Sequence, residues 1–237
     1  VKIWGYDLID PNQYFSAYDF ALFAIEKIKD IISREKTPFL VGGTGFYFNV
    51  ITGEIELDKT PPDFSLREEL EELNTEELKQ KLLKENPALA QKTDLNNPAR
   101  MIRAIEKTVS EKQREPIKLP KNIEYKRIGL TAPRKFLYER VDIWVDDIWE
   151  NGLIEEIKRL VNSDFKNSEK LRGLVYKTAV KYINQELDQE KAKQKIKHNL
   201  HAYIRRQQTY FKKIPNIIWI DVSQDNKLEK LYNIVDG

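Results

Sequence analysis

Apolar residues return every three or four positions from Phe20 through Ala24, Ile28 and Ile31, while Glu26, Lys27, Lys29 and Asp30 fall between them. That spacing is the period of a helix with one buried face. Ser16, followed three positions later by Asp19, is the capping pair that starts such a helix, and Lys36-Thr37-Pro38 ends it. The short apolar run Phe39-Leu40-Val41 then reads as a buried strand. Gly42, Gly43 and Gly45 forbid its continuation before a second apolar stretch from Phe46 to Ile51. Strand, glycine turn and helix in that order is the repeating unit of α/β sheets, whose ligands sit beyond the carboxyl ends of the strands.

Thr60-Pro61-Pro62-Asp63 marks a boundary, because two consecutive prolines cannot both continue regular structure. Residues 63 to 110 carry only helical periods, with starts at Asn74 and at Asn97-Pro98 and a break at Asn86-Pro87. Alternation from Ile123 to Leu130 predicts a strand. The stripe Leu137, Val141, Trp144, Val145 and Ile148 predicts a long helix, which Asn151-Gly152 ends before another helix from Leu153 to Val161. A shorter helix runs from the Leu174-Val175-Tyr176-Lys177 segment through Tyr182. A final long one spans about Asp188 to Lys213, with Ala192, Ile196, Leu200, Ile204 and Phe211 facing inward, and Ile217 to Ile220 reads as a last strand. The expected organisation is an α/β core over residues 1–58 and 116–237, interrupted by an all-helical insertion domain over 59–115.

Composition sharpens this reading at three points. With 237 residues, 41% of them hydrophobic and 33% charged, the chain can bury a sizeable core beneath a highly charged surface. The formal net charge is only +2, yet acidic residues crowd positions 63–78 and basic residues crowd 191–213, so the second half is the part suited to a polyanion. The absence of cysteine excludes disulfides, thiolate nucleophiles and cysteine-based zinc sites, and fits a reducing, cytoplasmic setting. No run of about 18 apolar residues is present to span a bilayer. Met101 is the only methionine, so an upstream segment is expected to be missing from the chain.

The candidate chemistry is cationic and backbone-based. Gly42, Gly43 and Gly45 can turn backbone N–H groups toward one spot, to which Thr44 adds a hydroxyl. That is either a seat for an anion or a tight strand-to-helix turn without a ligand. Arg100 and Arg103 lie one turn apart on one helix face and can hold a phosphate or pair with glutamates. Lys191, Lys193, Lys195, Lys197, Arg205, Arg206, Lys212 and Lys213 could line nucleic-acid phosphates or simply solvate a helix. His198 and His201 share a face but have no third ligand beside them, so no protein-held metal is expected. Neither a Gly-Lys-Ser/Thr phosphate loop nor a Gly-x-Ser-x-Gly elbow occurs, so the chain holds no self-sufficient catalytic set.

Several segments in the same order resemble the tRNA dimethylallyltransferase family, which prenylates adenosine 37 beside the anticodon. Leu8-Ile9-Asp10-Pro11 with Tyr14, Ser16, Ala17 and Phe20 is similar to that family's opening segment, and Val41-Gly42-Gly43-Thr44-Gly45-Phe46-Tyr47 to its VGGTGLY turn. Asn97-Pro98-Ala99-Arg100-Met101-Ile102-Arg103-Ala104-Ile105-Glu106 resembles its NPxRxxRALE helix, with Arg67 one residue later than the family arginine that touches tRNA. Leu137-Tyr138-Glu139-Arg140-Val141-Asp142 and Arg205-Arg206-Gln207-Gln208-Thr209-Tyr210-Phe211 match two further motifs. Val175 stands in place of a glycine, and Trp144 and His201 in place of arginines, as in a divergent member.

The resemblance implies a P-loop NTPase-like parallel-sheet core, incomplete in lacking its first strand and P-loop, around a channel. Adenosine 37 would enter one mouth and dimethylallyl diphosphate the other. Thr44 would line the channel and hydrogen-bond substrate, together with Gly42 and Gly43. Arg67, Arg100, Arg103, Arg172, Tyr176, Lys177, Arg205, Arg206, Gln207, Thr209 and Lys212 would hold tRNA or the diphosphate. Mg2+ would accompany the diphosphate. The family's P-loop and its proton-accepting aspartate lie upstream of the segment matched by Leu8, so this chain alone is expected to be inactive. The expected protein is a cytoplasmic monomer that takes the tRNA anticodon stem-loop and dimethylallyl diphosphate and has no membrane partner. The competing readings are a non-catalytic tRNA-binding protein that lacks the P-loop and a relative acting on free adenine nucleotides.

Overall fold

Residues 2–119, 123–166 and 168–236 are described by the computed structural model. The Ser16 hydroxyl accepts the Asp19 N–H, and the Asp19 carboxylate takes the Ser16 N–H at 2.8 Å, so the capping box closes and α1 runs over Ala17–Ser33. Its buried face, Ala21, Ala24, Ile25 and Ile28, packs against α2 (Gly45–Ile51), which contributes Val50 and Ile51. Phe20 stacks on Tyr47 with ring centroids 4.8 Å apart.

Contacts divide the chain into two units, Val1–Ile55 with Leu119–Gly237, and Glu56–Lys118. In the first, β1 (Arg127–Thr131) and β2 (Ile217–Asp221) form a parallel pair in register from Arg127 opposite Ile217 to Thr131 opposite Asp221. Between them the chain folds α7 (Arg134–Ile148), α8 (Ile154–Val161), α9 (Tyr176–Ile183) and α10 (Gln189–Phe211). Val145, Trp149, Leu153, Ile154, Ile157, Ala179, Ala192 and Ile196 form their common core. Burying each large apolar side chain of that cluster contributes about 2 kcal/mol. Helix α7 ends in a wide turn over Trp149–Leu153, where Gly152 takes φ +109°, a left-handed conformation that admits glycine without strain. After β2, α11 (Lys227–Asp236) closes the unit.

The second unit is helical: α3 (Phe64–Glu71), α4 (Thr75–Glu85), α5 (Pro87–Ala90) and α6 (Pro98–Val109). Asn74 caps α4 through a capping box with Glu77, and Asn97 caps α6 by accepting the Arg100 N–H, with Pro98 in the first turn. Leu70, Leu78, Leu82, Ala90, Met101, Ile102, Ala104 and Ile105 form its own core.

Three sequence expectations are corrected. Phe39–Val41 is not a strand: no described segment lies beside it to complete a ladder, and Phe39 and Val41 are exposed. The strand expected over 123–130 is shorter and shifted, to Arg127–Thr131. Trp144 does not belong to the buried stripe of α7. It is exposed, and Trp149 fills the core in its place.

Candidate functional site

The glycine turn is shaped by the helix it meets. Gln207, in the last third of α10, donates from Nε2 to the Gly43 carbonyl at 3.0 Å. Three residues on, Tyr210 lays its ring over Gly45, and its hydroxyl accepts from Asn49 Nδ2 at 3.1 Å. A Cβ on Gly43 would collide with the Gln207 amide, and one on Gly45 with the Tyr210 ring. Close approach by α10 is therefore why these two positions are glycine, a requirement that an anion seat does not need to explain. Phe48 and Phe211 meet edge to face at 6.3 Å and close the same contact.

Thr44 occupies the N-cap position of α2, but its side chain makes no capping bond and is exposed, which leaves the hydroxyl available to a ligand. Gly42 is exposed beside it. On the adjoining face of α10, Ala202, Arg205, Arg206, Thr209, Tyr210 and Lys213 line an open groove. Arg205 donates from Nη1 to the Tyr138 hydroxyl at 3.0 Å, Arg206 lies 5.8 Å above the Tyr203 ring centroid, and the Thr209 hydroxyl donates back to the Arg205 carbonyl. Lys212 is exposed at the C-cap of the helix. Of the site residues expected on α10, Gln207 meets the turn directly, whereas Arg205, Arg206 and Thr209 pair with Tyr138, Tyr203 and the Arg205 carbonyl.

Not all the cationic density of α10 faces outward. Lys193 and Lys197 both reach Asp146 at 2.8 Å, and their side chains are mostly covered. His201 places Nε2 2.8 Å from Asp142 Oδ1 and stacks on Tyr138 at 3.9 Å. These two clusters bridge α10 and α7 at the rim of their apolar contact. Near the start of α9, Arg172 and Lys177 are exposed, while Tyr176 donates to Glu156 Oε1 at 2.7 Å. Burial first, then the hydrogen bond to Glu156 and its charge, push the Tyr176 hydroxyl up to about 12, so it is a hydrogen-bond donor rather than a base at neutral pH.

In the helical unit the expected arginines are organised by a residue that the sequence reading passed over. Glu106 is fully buried. Arg67 binds it bidentately at 2.6 and 2.9 Å, Arg103 adds a third bond at 2.9 Å, and the Asp63 N–H donates to it at 2.9 Å. Burial alone would raise the Glu106 carboxyl, but the Arg67, Arg103 and Asp63 hydrogen bonds outweigh it and hold the pKa below its ordinary value. Arg103 also donates to the Thr60 carbonyl at 2.6 Å, whereas Arg100 points elsewhere, to Asp94 at 3.3 Å, and is largely exposed. Arg100 and Arg103 therefore do not form one clamp. The signal for this is the three-residue spacing of Arg103 and Glu106; the Arg67 partnership, between residues 39 positions apart, leaves no local trace.

Among the described residues no group of three His, Asp or Glu side chains could hold a metal ion, and no helix is long and apolar enough to cross a membrane.

A family model described as IPP transferase matches residues 1–214. The tRNA dimethylallyltransferase of Acetivibrio thermocellus is 34% identical to the chain, across 98% of it and 77% of the relative. Among solved structures, the tRNA isopentenylpyrophosphate transferase of Bacillus halodurans is similar with a TM-score of 0.67 and 33% identity, over 98% of this chain and 76% of that one. The tRNA delta(2)-isopentenylpyrophosphate transferase of Staphylococcus epidermidis is similar with a TM-score of 0.64 and 29% identity, over 97% and 78%.

Proposed function

The chain belongs to the IPP transferase family, and from that premise we propose that it transfers a dimethylallyl group from dimethylallyl diphosphate to the N6 amine of adenosine 37 in tRNA. In this reaction the amine nitrogen bonds to the terminal allylic carbon as the carbon–oxygen bond to diphosphate breaks, and the nitrogen gives up one proton. The amine must leave the base stack to reach that carbon, so the nucleotide is flipped into the protein. The parallel β1–β2 pair with its helical crossover fits a P-loop NTPase-like core.

The observation that carries the reading is the exposed Thr44 hydroxyl, free of any capping bond, on the segment that resembles the family's glycine turn and that α10 meets through Gln207 and Tyr210. Thr44 supplies a hydrogen bond to the substrate. Arg205, Arg206 and Lys212 neutralise phosphate charge, and Arg100 gives the helical unit a cation for the anticodon stem. Mg2+ accompanies the diphosphate, held by its oxygens. We take the protein to be a cytoplasmic monomer.

The test is transfer of label. Incubation with radiolabelled dimethylallyl diphosphate should place label on tRNA carrying adenosine at position 37, and nuclease digestion should release it as dimethylallyladenosine. A tRNA with guanosine there should stay unlabelled. Equal labelling of AMP, or tRNA binding without any transfer, overturns the proposal.

A further inference from the structure

The hydrogen bond between Gln207 and Gly43 joins a helix residue to the residue just before Thr44. A trans peptide is planar, and its carbonyl and the following N–H point to opposite sides. Capture of the Gly43 carbonyl by the Gln207 amide thus fixes the plane of the Gly43–Thr44 peptide and sets the direction in which Thr44 leaves it. The turn needs such an anchor. Glycines on either side of Thr44 impose little of their own conformational preference, and the Thr44 side chain has no capping bond to hold it. A second contact, Tyr210 over Gly45 with its hydroxyl on Asn49, fixes the other flank. Gln207 and Tyr210 are one turn apart, so a single face of α10 grips both sides of Thr44.

We propose that Gln207 is a positioning residue for prenyl transfer: it does not hold tRNA but, through the Gly43 carbonyl, fixes Thr44 in its reactive orientation. The partial burial of Gln207 and the use of its amide nitrogen on Gly43 set it apart from the exposed Arg205 and Arg206 on the same helix. This proposal rests on the transferase reading above.

Two double-mutant cycles test it. Gln207→Ala should lower kcat about ten-fold, the loss of roughly one well-placed hydrogen bond in the transition state, while tRNA Kd changes less than about two-fold. Gln207→Glu keeps the shape but, when ionised, has no proton to donate. It should be as impaired at neutral pH as Gln207→Ala, whereas a role in packing alone would leave it near the wild-type rate. Gly43→Ala forces the amide aside, so Gly43→Ala with Gln207→Ala should be no slower than the worse single variant. The same should hold for Thr44→Ala combined with Gln207→Ala.

Independent, additive losses in either cycle overturn the proposal, as does a Gln207→Ala variant that keeps kcat and loses ten-fold in tRNA affinity. The Gly43 and Gln207 cycle is also read in urea unfolding midpoints, where non-additive shifts are expected and additive ones count against the contact. That readout needs no catalysis. If wild-type protein transfers no label to tRNA, the functional reading fails while the unfolding cycle still decides whether Gln207 anchors the turn.

Discussion

Glu106 and the two arginines on it set a different expectation for each cation of the helical unit. Because Arg67 and Arg103 neutralise a fully buried carboxylate, replacing either by Ala leaves that charge short of a partner and should destabilise the Glu56–Lys118 unit by about 3 kcal/mol. Arg100→Ala should leave thermal stability nearly unchanged, since its partner Asp94 is an exposed ion pair. It should instead reduce the salt slope of tRNA binding by about one unit. Thermal melts and salt titrations of the variants check both statements. A melt for Arg103→Ala that matches wild type would contradict the structural role.

The same carboxylate makes the unit acid-sensitive. Its folded pKa is depressed, so the stabilisation is fully present above the unfolded value near about 4.3 and is lost as pH falls through the folded value. Urea unfolding of the wild type should therefore weaken below about pH 4. In Glu106→Gln, already less stable at neutral pH, that decline should be shallower, and an equally steep decline would remove Glu106 as its source.

At the scale of elements, the ties between α7 and α10 divide by burial. Apolar contacts of Val145, Ala192 and Ile196 are fully covered, whereas Asp146, which joins Lys193 and Lys197, is about half exposed at 47%. The two lysine hydrogen bonds depress its pKa, yet solvent screening keeps the network weak. Asp146→Asn should shift stability by less than about 1 kcal/mol, and Ile196→Ala by about 3 kcal/mol. Denaturant titration separates the two; comparable losses would mean the ions hold the helices together.

What could be read from sequence follows the range of the interaction. Helix starts at Ser16, Asn74 and Asn97 were legible because a cap and its target lie within three residues. The apolar run Phe39–Val41 suggests a strand that does not form, because such a run shows only that a segment could pair, and its ladder partner must come from elsewhere. For the same reason Gly43 and Gly45 announced a turn but not the helix that required them, since Gln207 stands 164 positions from Gly43. Motif resemblance singled out residues that periodicity could not. It named Arg67 and Arg103 as ligands, however, without revealing the buried glutamate they already serve.

For the molecule as a whole, the parallel pairing of β1 and β2 has a consequence in time. The strands meet only after the chain has passed through α7, α8, α9 and α10, so their pairing closes a long loop whose entropy is lost before any ladder bond forms. Local helices and their shared core are therefore expected to form first, and the sheet to zip last. Gly129 offers the probe, because a Cβ there would meet Ile217 and Trp219 at 2.7 Å across the pair. Gly129→Ala should accelerate unfolding several-fold and leave the refolding rate almost unchanged, as expected of a contact absent from the folding transition state. Stopped-flow refolding slowed in proportion to the lost stability would instead place the strand pair in the nucleus. On this view the two strands act as a late clasp: the protein acquires its helices quickly and its lasting resistance to unfolding only when β1 and β2 meet.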